Sequence, residues 1–267
     1  INWLTTPRDL PDPVYSDDLI RVNQHECSIV VEGVGQFYVH DGQWVDICPF
    51  ENVDPQWMNW SLNSQVLVAL LHQRKIINFH ASSFIYQDQG IMILGVTGSG
   101  KSSLTAAFSL NGAGFLSDDL TPIIFKEERP FIWPLYRQIK LRESALNQLN
   151  IDPALLKEAE QGTDKYFLTV RKSRVSSYPL HVILKLEIKE EPGIHFHEPR
   201  PDENFTLLRS EICSWEMLKG MPETEKAYLQ QLIDIVHQVK IVRVTRPRVV
   251  AVSELYEMIR DYFEGTE

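Results

Sequence analysis

Gly95-Val96-Thr97-Gly98-Ser99-Gly100-Lys101-Ser102 fits the pattern G-x-x-x-x-G-K-[ST] at every fixed position. Each fixed residue has a physical task. The glycines let the backbone wrap tightly, so that main-chain N–H groups between Gly95 and Ser103 converge on phosphate oxygens. The donors expected there are Gly95, Thr97, Gly98, Ser99, Gly100, Lys101, Ser102 and Ser103. A helix starting near Lys101 aims its positive dipole end at the same anion. The Lys101 ammonium can reach the β and γ phosphates, and the Ser102 hydroxyl can ligate Mg²⁺. The chemistry implied is binding of a nucleoside triphosphate.

The loop does not say where the terminal phosphate goes. No Asn-Lys-x-Asp guanine signal follows it, and no apolar run ends in Asp-Glu. The adjacent carboxylates Asp118-Asp119 are the best remaining candidates. Two carboxylates at that point can divide two tasks, one helping to hold the metal and one taking a proton from an attacking hydroxyl. The plainer reading is a solvated acidic turn or a helix cap. His80 lies on the strand before the loop, where a lone His is more often structural than catalytic.

These residues need elements to hold them. Ile91-Met92-Ile93-Leu94 is wholly apolar, as expected of a strand buried on both faces. Ser103 to Leu110 reads as the helix after the loop, with Asn111-Gly112 just past its end. Ile77 to Tyr86 and Thr121 to Phe125 read as strands, and Gln87 to Gly90 as a turn. Upstream, Val34 to Val39 and Gln43 to Ile47 alternate around His40-Asp41-Gly42, a hairpin signal. Asp54 to Arg74 reads as a helix, with Trp57, Trp60, Leu67, Leu70 and Leu71 near the helical period. Downstream, Pro179 to Ile188 and Ile241 to Val244 are strand candidates. Thr224 to Val239 is an amphipathic helix striped by Leu229, Leu232, Ile233 and Val236, and a last helix, Ser253 to Phe263, is capped by Ser253. Lys189 to Glu203 reads as a loop. The expected division is a β-rich region with a helix over residues 1–75 and an α/β nucleotide-binding domain over residues 76–267.

Weaker signals have mundane alternatives. Lys165, Arg171, Lys172 and Arg174 follow a Gly162-Thr163-Asp164 turn. They could cover a triphosphate, with Lys165 the first candidate, or bind an acidic peptide, or simply be solvated. Lys240, Arg243, Arg246 and Arg248 could meet a partner or protect a strand edge. His195 and His197 would share a strand face but lack further zinc ligands nearby. The six tryptophans are expected in the core.

Bulk properties exclude some classes. Thirty-six acidic residues against 26 basic ones give a net charge of −10, which weighs against nucleic acid as a partner. No apolar run approaches the roughly 18 to 20 residues needed to cross a membrane. Cys27, Cys48 and Cys213 form no CxxC pair and read as reduced thiols, so a cytoplasmic protein is expected. A homo-oligomer is left open.

His80-Ala81-Ser82, Gly95 to Ser102, and Gly112-Ala113-Gly114-Phe115-Leu116-Ser117-Asp118-Asp119 together resemble the catalytic domain of HPr kinase/phosphorylase. They look closer still to divergent HPr-kinase-like proteins, some of which act as kinases in lasso peptide clusters. In that family a His precedes the loop Lys, and an Asp pair follows it, at the intervals seen here. The match runs from about Ile77 to Phe125.

The resemblance implies a P-loop, PEP carboxykinase-like fold using ATP and Mg²⁺. It implies phosphate binding by Lys101, metal ligation by Ser102 with Asp118 as a metal or outer ligand, and Asp119 as base toward a serine. His80 would position or polarise the Asp119 carboxylate. The family's Glu-x-x-Arg-Gly segment is absent. Glu143, in Lys140-Leu141-Arg142-Glu143, stands in its neighbourhood. That absence argues against a reverse phosphorylase reaction, and the N-terminal region argues against HPr as substrate. The expected reaction is transfer from ATP to a serine or threonine hydroxyl of a peptide or protein, such as a lasso precursor. A small-molecule hydroxyl kinase and a nucleotide-dependent switch remain open beside it.

Overall fold

The computed structural model describes residues 1–135, 138–159, 162–171 and 173–265. The chain folds into two compact units, Ile1–Asn78 with Ile212–Ile233, and Phe79–Glu211 with Asp234–Glu267.

The first unit is built on a six-stranded sheet. Its central strands Glu26–Val31, Gly35–His40 and Trp44–Pro49 pair antiparallel. The Asp41-Gly42 turn between the last two has positive φ at both residues (56° and 62°), which matches the strands' twist. The pleat sorts side chains by parity. Cys27, Ile29, Phe37, Val39, Val45 and Ile47 pack with Met58, Val66, Ala69, Met217 and Met221. The other face carries the polar residues Glu26, Ser28, Gln36, Tyr38, His40 and Asp46, with Arg8 2.9 Å from Asp46 and over the Tyr38 ring.

The helical stretch after this sheet runs Pro55–Ser61, a π turn Leu62–Val66, and Leu67–Gln73. Asp54 caps it by accepting the Gln56 N–H at 2.7 Å, and Pro55 occupies the first turn, where its missing N–H costs nothing. Of the expected stripe, Leu71 is buried and Leu67 and Leu70 are half-buried, but the two tryptophans face outward. Met58, Val66, Ala69 and Leu71 point inward, while Trp57 and Trp60 stack edge-to-face on the outside. Trp3, Trp44 and Trp215 are exposed too, and Trp133 is half-buried. The tryptophans are not the core, because strand parity and helix period turn them outward.

The second unit centres on three parallel strands, Gln89–Leu94, Tyr178–Lys189 and Lys240–Pro247. Ser82–Tyr86 and Gly114–Ser117 extend the sheet antiparallel on one side, and His195–His197 extends it on the other. Arg129–Ile132 pairs with the start of Tyr178–Lys189 and with Thr121–Lys126. Ile91, Ile93, Val182, Leu184, Leu186, Val242 and Val244 form one core with Leu104 and Phe108 of helix Lys101–Leu110 and Leu255, Ile259 and Phe263 of helix Val252–Glu264. A separate three-stranded sheet, Gln138–Arg142, Lys165–Thr169 and Lys157–Glu158, packs Ile139, Leu141 and Leu168 against Ala106 and Phe115.

Further expectations need correction. Residues 189–203 are not all loop, since they contain His195–His197 and the start of helix Pro201–Ser210. Ser253 lies inside the last helix, whose cap position is Ala251. In helix Pro222–Gln238 the buried apolar residues are Tyr228, Leu232 and Ile235, and Leu229 and Ile233 are exposed. Among the described residues, no helix is long and apolar enough to cross a membrane.

Candidate functional site

The buried strand Gln89–Leu94 runs straight into Gly95, and the loop 95–100 ends at helix Lys101–Leu110. Gly95 is forced by space: a Cβ there would lie 2.6 Å from Ser99 Oγ and 2.7 Å from the Leu186 carbonyl. Gly100 is forced by backbone, with φ 102° at the position before the helix. The first helical hydrogen bond is Leu104 N–H to Gly100 O, 2.9 Å. The N–H groups of Lys101, Ser102 and Ser103 precede it and point out of the helix end. Ser99 differs from the expected donors. Its N–H is taken by the Val96 carbonyl at 3.0 Å and its side chain is buried, so it shapes the loop from inside.

Lys101 is buried, and its ammonium donates to the Gly95 carbonyl at 2.5 Å and reaches Val96 O at 3.4 Å. Burial pulls its pKa below the usual lysine range, opposed by the carboxylates of Glu211, Asp118 and Asp119.

Arg246 holds the loop from behind. Its Nε and Nη2 donate to the Ser99 carbonyl at 2.9 and 2.7 Å, Nη2 also reaches Gly98 O at 3.2 Å, and Nη1 donates to Pro247 O at 2.8 Å. In a trans peptide C=O and N–H point opposite ways. Fixing Ser99 O outward therefore turns the Gly100 N–H to the far side. Arg246 does not guard a strand edge, one of the two roles open to this basic stretch: Lys240–Pro247 is paired along its length on one side and at Arg243 to Thr245 on the other, and Arg246 is buried. Arg246→Met is expected to weaken binding of inorganic triphosphate about tenfold or more by calorimetry, because charge-assisted bonds that order the loop are lost. Unchanged affinity would show that the loop holds its shape without the guanidinium.

The aspartate pair follows strand Gly114–Ser117. Asp118 is buried. Its Oδ1 accepts the hydroxyls of Ser82 at 2.5 Å and Ser102 at 2.8 Å, and its Oδ2 accepts the Lys140 N–H at 3.1 Å. Burial and the adjacent Asp119 carboxylate push the Asp118 carboxyl up to about 6. Asp119 is exposed, with φ 67°, and this left-handed corner turns the second side chain away from the first. Its Oδ2 lies 3.4 Å from Lys140 Nζ.

The strand expected over residues 77–86 breaks between Asn78–Phe79 and Ser82–Tyr86, and His80 sits in the break. Its main-chain N–H donates to Glu211 O at 3.1 Å. Its Nδ1–H donates at 3.0 Å to the main-chain carbonyl of Asp119, not to the carboxylate. Burial, then the charge of Lys101, pulls the ring below the usual histidine pKa, so its Nε2 is an open acceptor near neutral pH.

Three residues here escaped the sequence reading. Lys140 touches both aspartates. Glu211 forms a largely buried ion pair with Lys185, and Lys185 is in register with Leu94 at the loop's entrance. Glu211 also acts electrostatically on Lys101 and His80. Only the alternation of Lys140 with the apolar Ile139 and Leu141 hinted at its orientation.

Other candidates lie elsewhere. Glu143 is exposed in the first turn of helix Glu143–Gln148. Lys165 opens strand Lys165–Thr169, opposite Arg142. Ser173 N–H bonds Phe115 O at 3.2 Å, which brings the basic loop alongside the strand that leads to the aspartates. Lys172 of that loop lies outside the described residues. His195 Nε2 bonds Pro192 O, and among the described residues no group of three His, Cys, Asp or Glu side chains could hold a metal. The Ser102 hydroxyl beside the Asp118 carboxylate is an all-oxygen pair that could hold a hard cation such as magnesium. The Ser102 hydroxyl gives its hydrogen to Asp118 and keeps its lone pairs for a cation.

No family model and no curated protein matches the chain. Among solved structures, the HPr(Ser) kinase/phosphatase from Coxiella burnetii shares 11% identity, covering 70% of this chain and 88% of that one, with a TM-score of 0.37. So loose a superposition marks a distant structural resemblance and decides nothing about the chemistry.

Proposed function

We propose that this chain is an ATP-dependent kinase that transfers the γ-phosphoryl group to a serine or threonine hydroxyl of a peptide or protein, with a lasso-type precursor peptide as one such acceptor. The supporting observation is a single juxtaposition. An open helix start, Lys101 and Ser102 stand at one end of a short relay, Ser102–Asp118, and an exposed carboxylate, Asp119, stands next in the chain.

In this reading the loop is a P-loop. The N–H groups of Gly100 to Ser103 bind phosphate oxygens, and the Lys101 ammonium leaves the Gly95 carbonyl to do the same. Ser102, backed by Asp118, would hold Mg²⁺, which when bound neutralises charge on the β and γ phosphates. Asp119 accepts the acceptor's proton as its oxygen bonds to the γ phosphorus and the bond to the β-γ bridging oxygen breaks. The products are ADP and a phosphoester. Lys140 steadies the Asp119 carboxylate, and His80 steadies its main chain.

The test is mass spectrometry of serine and threonine peptides, and of free serine, incubated with the protein, ATP and Mg²⁺. The expected outcome is an added phosphate on peptides and none on free serine. Transfer to free serine alone would make the protein a small-molecule kinase. Tight ATP binding with no transfer to any acceptor would make it a nucleotide-dependent switch.

A further inference from the structure

The three-stranded sheet beside the aspartates has two unlike faces. Ile139, Leu141 and Leu168 point into the core. Residues directly opposite on neighbouring strands share a face. Arg142 is opposite Lys165, Lys140 is opposite Phe167, and Phe167 is opposite Lys157. The open face thus carries Lys140, Arg142, Lys157 and Lys165 around a half-buried Phe167, with the neutral Gln138 and Thr169 at one end. Glu158, the one acidic residue in these strands, is opposite Tyr166 and so belongs to the other face. In a chain of net charge −10 this sorting of signs is pronounced. Asp164, at the turn, holds Arg142 at 2.8 Å, and Asp119 lies 3.4 Å from Lys140.

We infer that this face is the docking platform for an acidic segment of the acceptor, next to the hydroxyl that is phosphorylated. The inference rests on the kinase reading and narrows its substrate class. Three observations favour a peptide over the nucleotide. The helix start and Lys101 already provide for the triphosphate. Phe167 offers an apolar contact among the cations, which suits a side chain flanked by carboxylates. Lys140 joins the platform to Asp119 itself, so a chain lying along the face delivers its hydroxyl to the proposed base.

The test uses fluorescent serine peptides with acidic, neutral or basic flanks, read by anisotropy and by phosphate transfer. With the unmodified protein the acidic peptide is expected to bind about tenfold more tightly than the basic one at low salt, and the preference should shrink at high salt. The double variant Lys157→Glu with Arg142→Gln should erase the preference, raising KM for the acidic peptide about tenfold while KM for ATP stays within about twofold. Equal affinities across the series, or a folded double variant that keeps the preference, would overturn the platform. So would displacement of the peptide by an ATP analogue, or by an RNA oligonucleotide of equal charge. If the acidic peptide binds selectively and no phosphopeptide forms, the platform stands and the kinase reading falls. Transfer without charge preference gives the converse.

Discussion

Asp119→Asn is expected to cut phosphoryl transfer by about 10²- to 10⁴-fold, the usual contribution of a positioned general base. Asparagine is the informative replacement because the residue sits at φ 67°, a left-handed corner that Asn tolerates nearly as well as Asp. The main-chain carbonyl that receives the His80 Nδ1–H is untouched. Asp118 and Ser102 also keep their hydrogen bond, since it runs through the other carboxylate. The variant should therefore bind ATP within about twofold of the parent, since in the proposed function the affinity comes from loop amides and Lys101. Steady-state kinetics and calorimetry separate the two effects. If Asp119→Asn transfers phosphate at the normal rate, another group takes the proton, and the open Nε2 of His80 is next in line.

Lys101→Met is expected to lower kcat/KM for ATP by about 10²- to 10³-fold, the cost of removing one preorganised donor to developing charge. Methionine keeps the buried stem and deletes only the ammonium. The same change should leave the thermal midpoint equal to the parent's or raise it. The ammonium is buried against main-chain carbonyls, and burial depresses its pKa, so the charged form costs stability at neutral pH. A destabilised variant would mean that Lys101 holds the loop together, and its loss of activity would then say nothing about phosphate contacts. Loss of activity with retained stability is the pattern of a residue kept for its ligand.

Much of this site is legible in the sequence because it is local. Gly95 to Ser102 specify their own loop. The apolar strand before them and the helix after them follow from composition, and the aspartates fall just beyond a short apolar run. Less was legible where packing chose among equivalent local options. Both Asp118 and Asp119 could have been metal ligand or base. The fold buries the first beneath Ser82, Ser102 and Lys140 and leaves the second exposed. His80 was expected on a strand facing a carboxylate, but the strand breaks there and its ring meets a carbonyl instead. Trp57, Trp60, Leu229 and Ile233 of the expected helix stripes turn outward because several apolar sets fit one period, and only tertiary packing decides which set turns inward.

By itself, then, the sequence determined the glycine-rich loop, its flanking strand and helix, and the presence of two carboxylates close behind. Those depend on backbone freedom and on residues adjacent in the chain. The tertiary structure alone decided which carboxylate is open, that Lys140 joins both, and that Arg246, 147 residues from Ser99 in sequence, holds the loop from behind. Side chains so distant in sequence meet only through strand order and register, and no local pattern encodes that meeting.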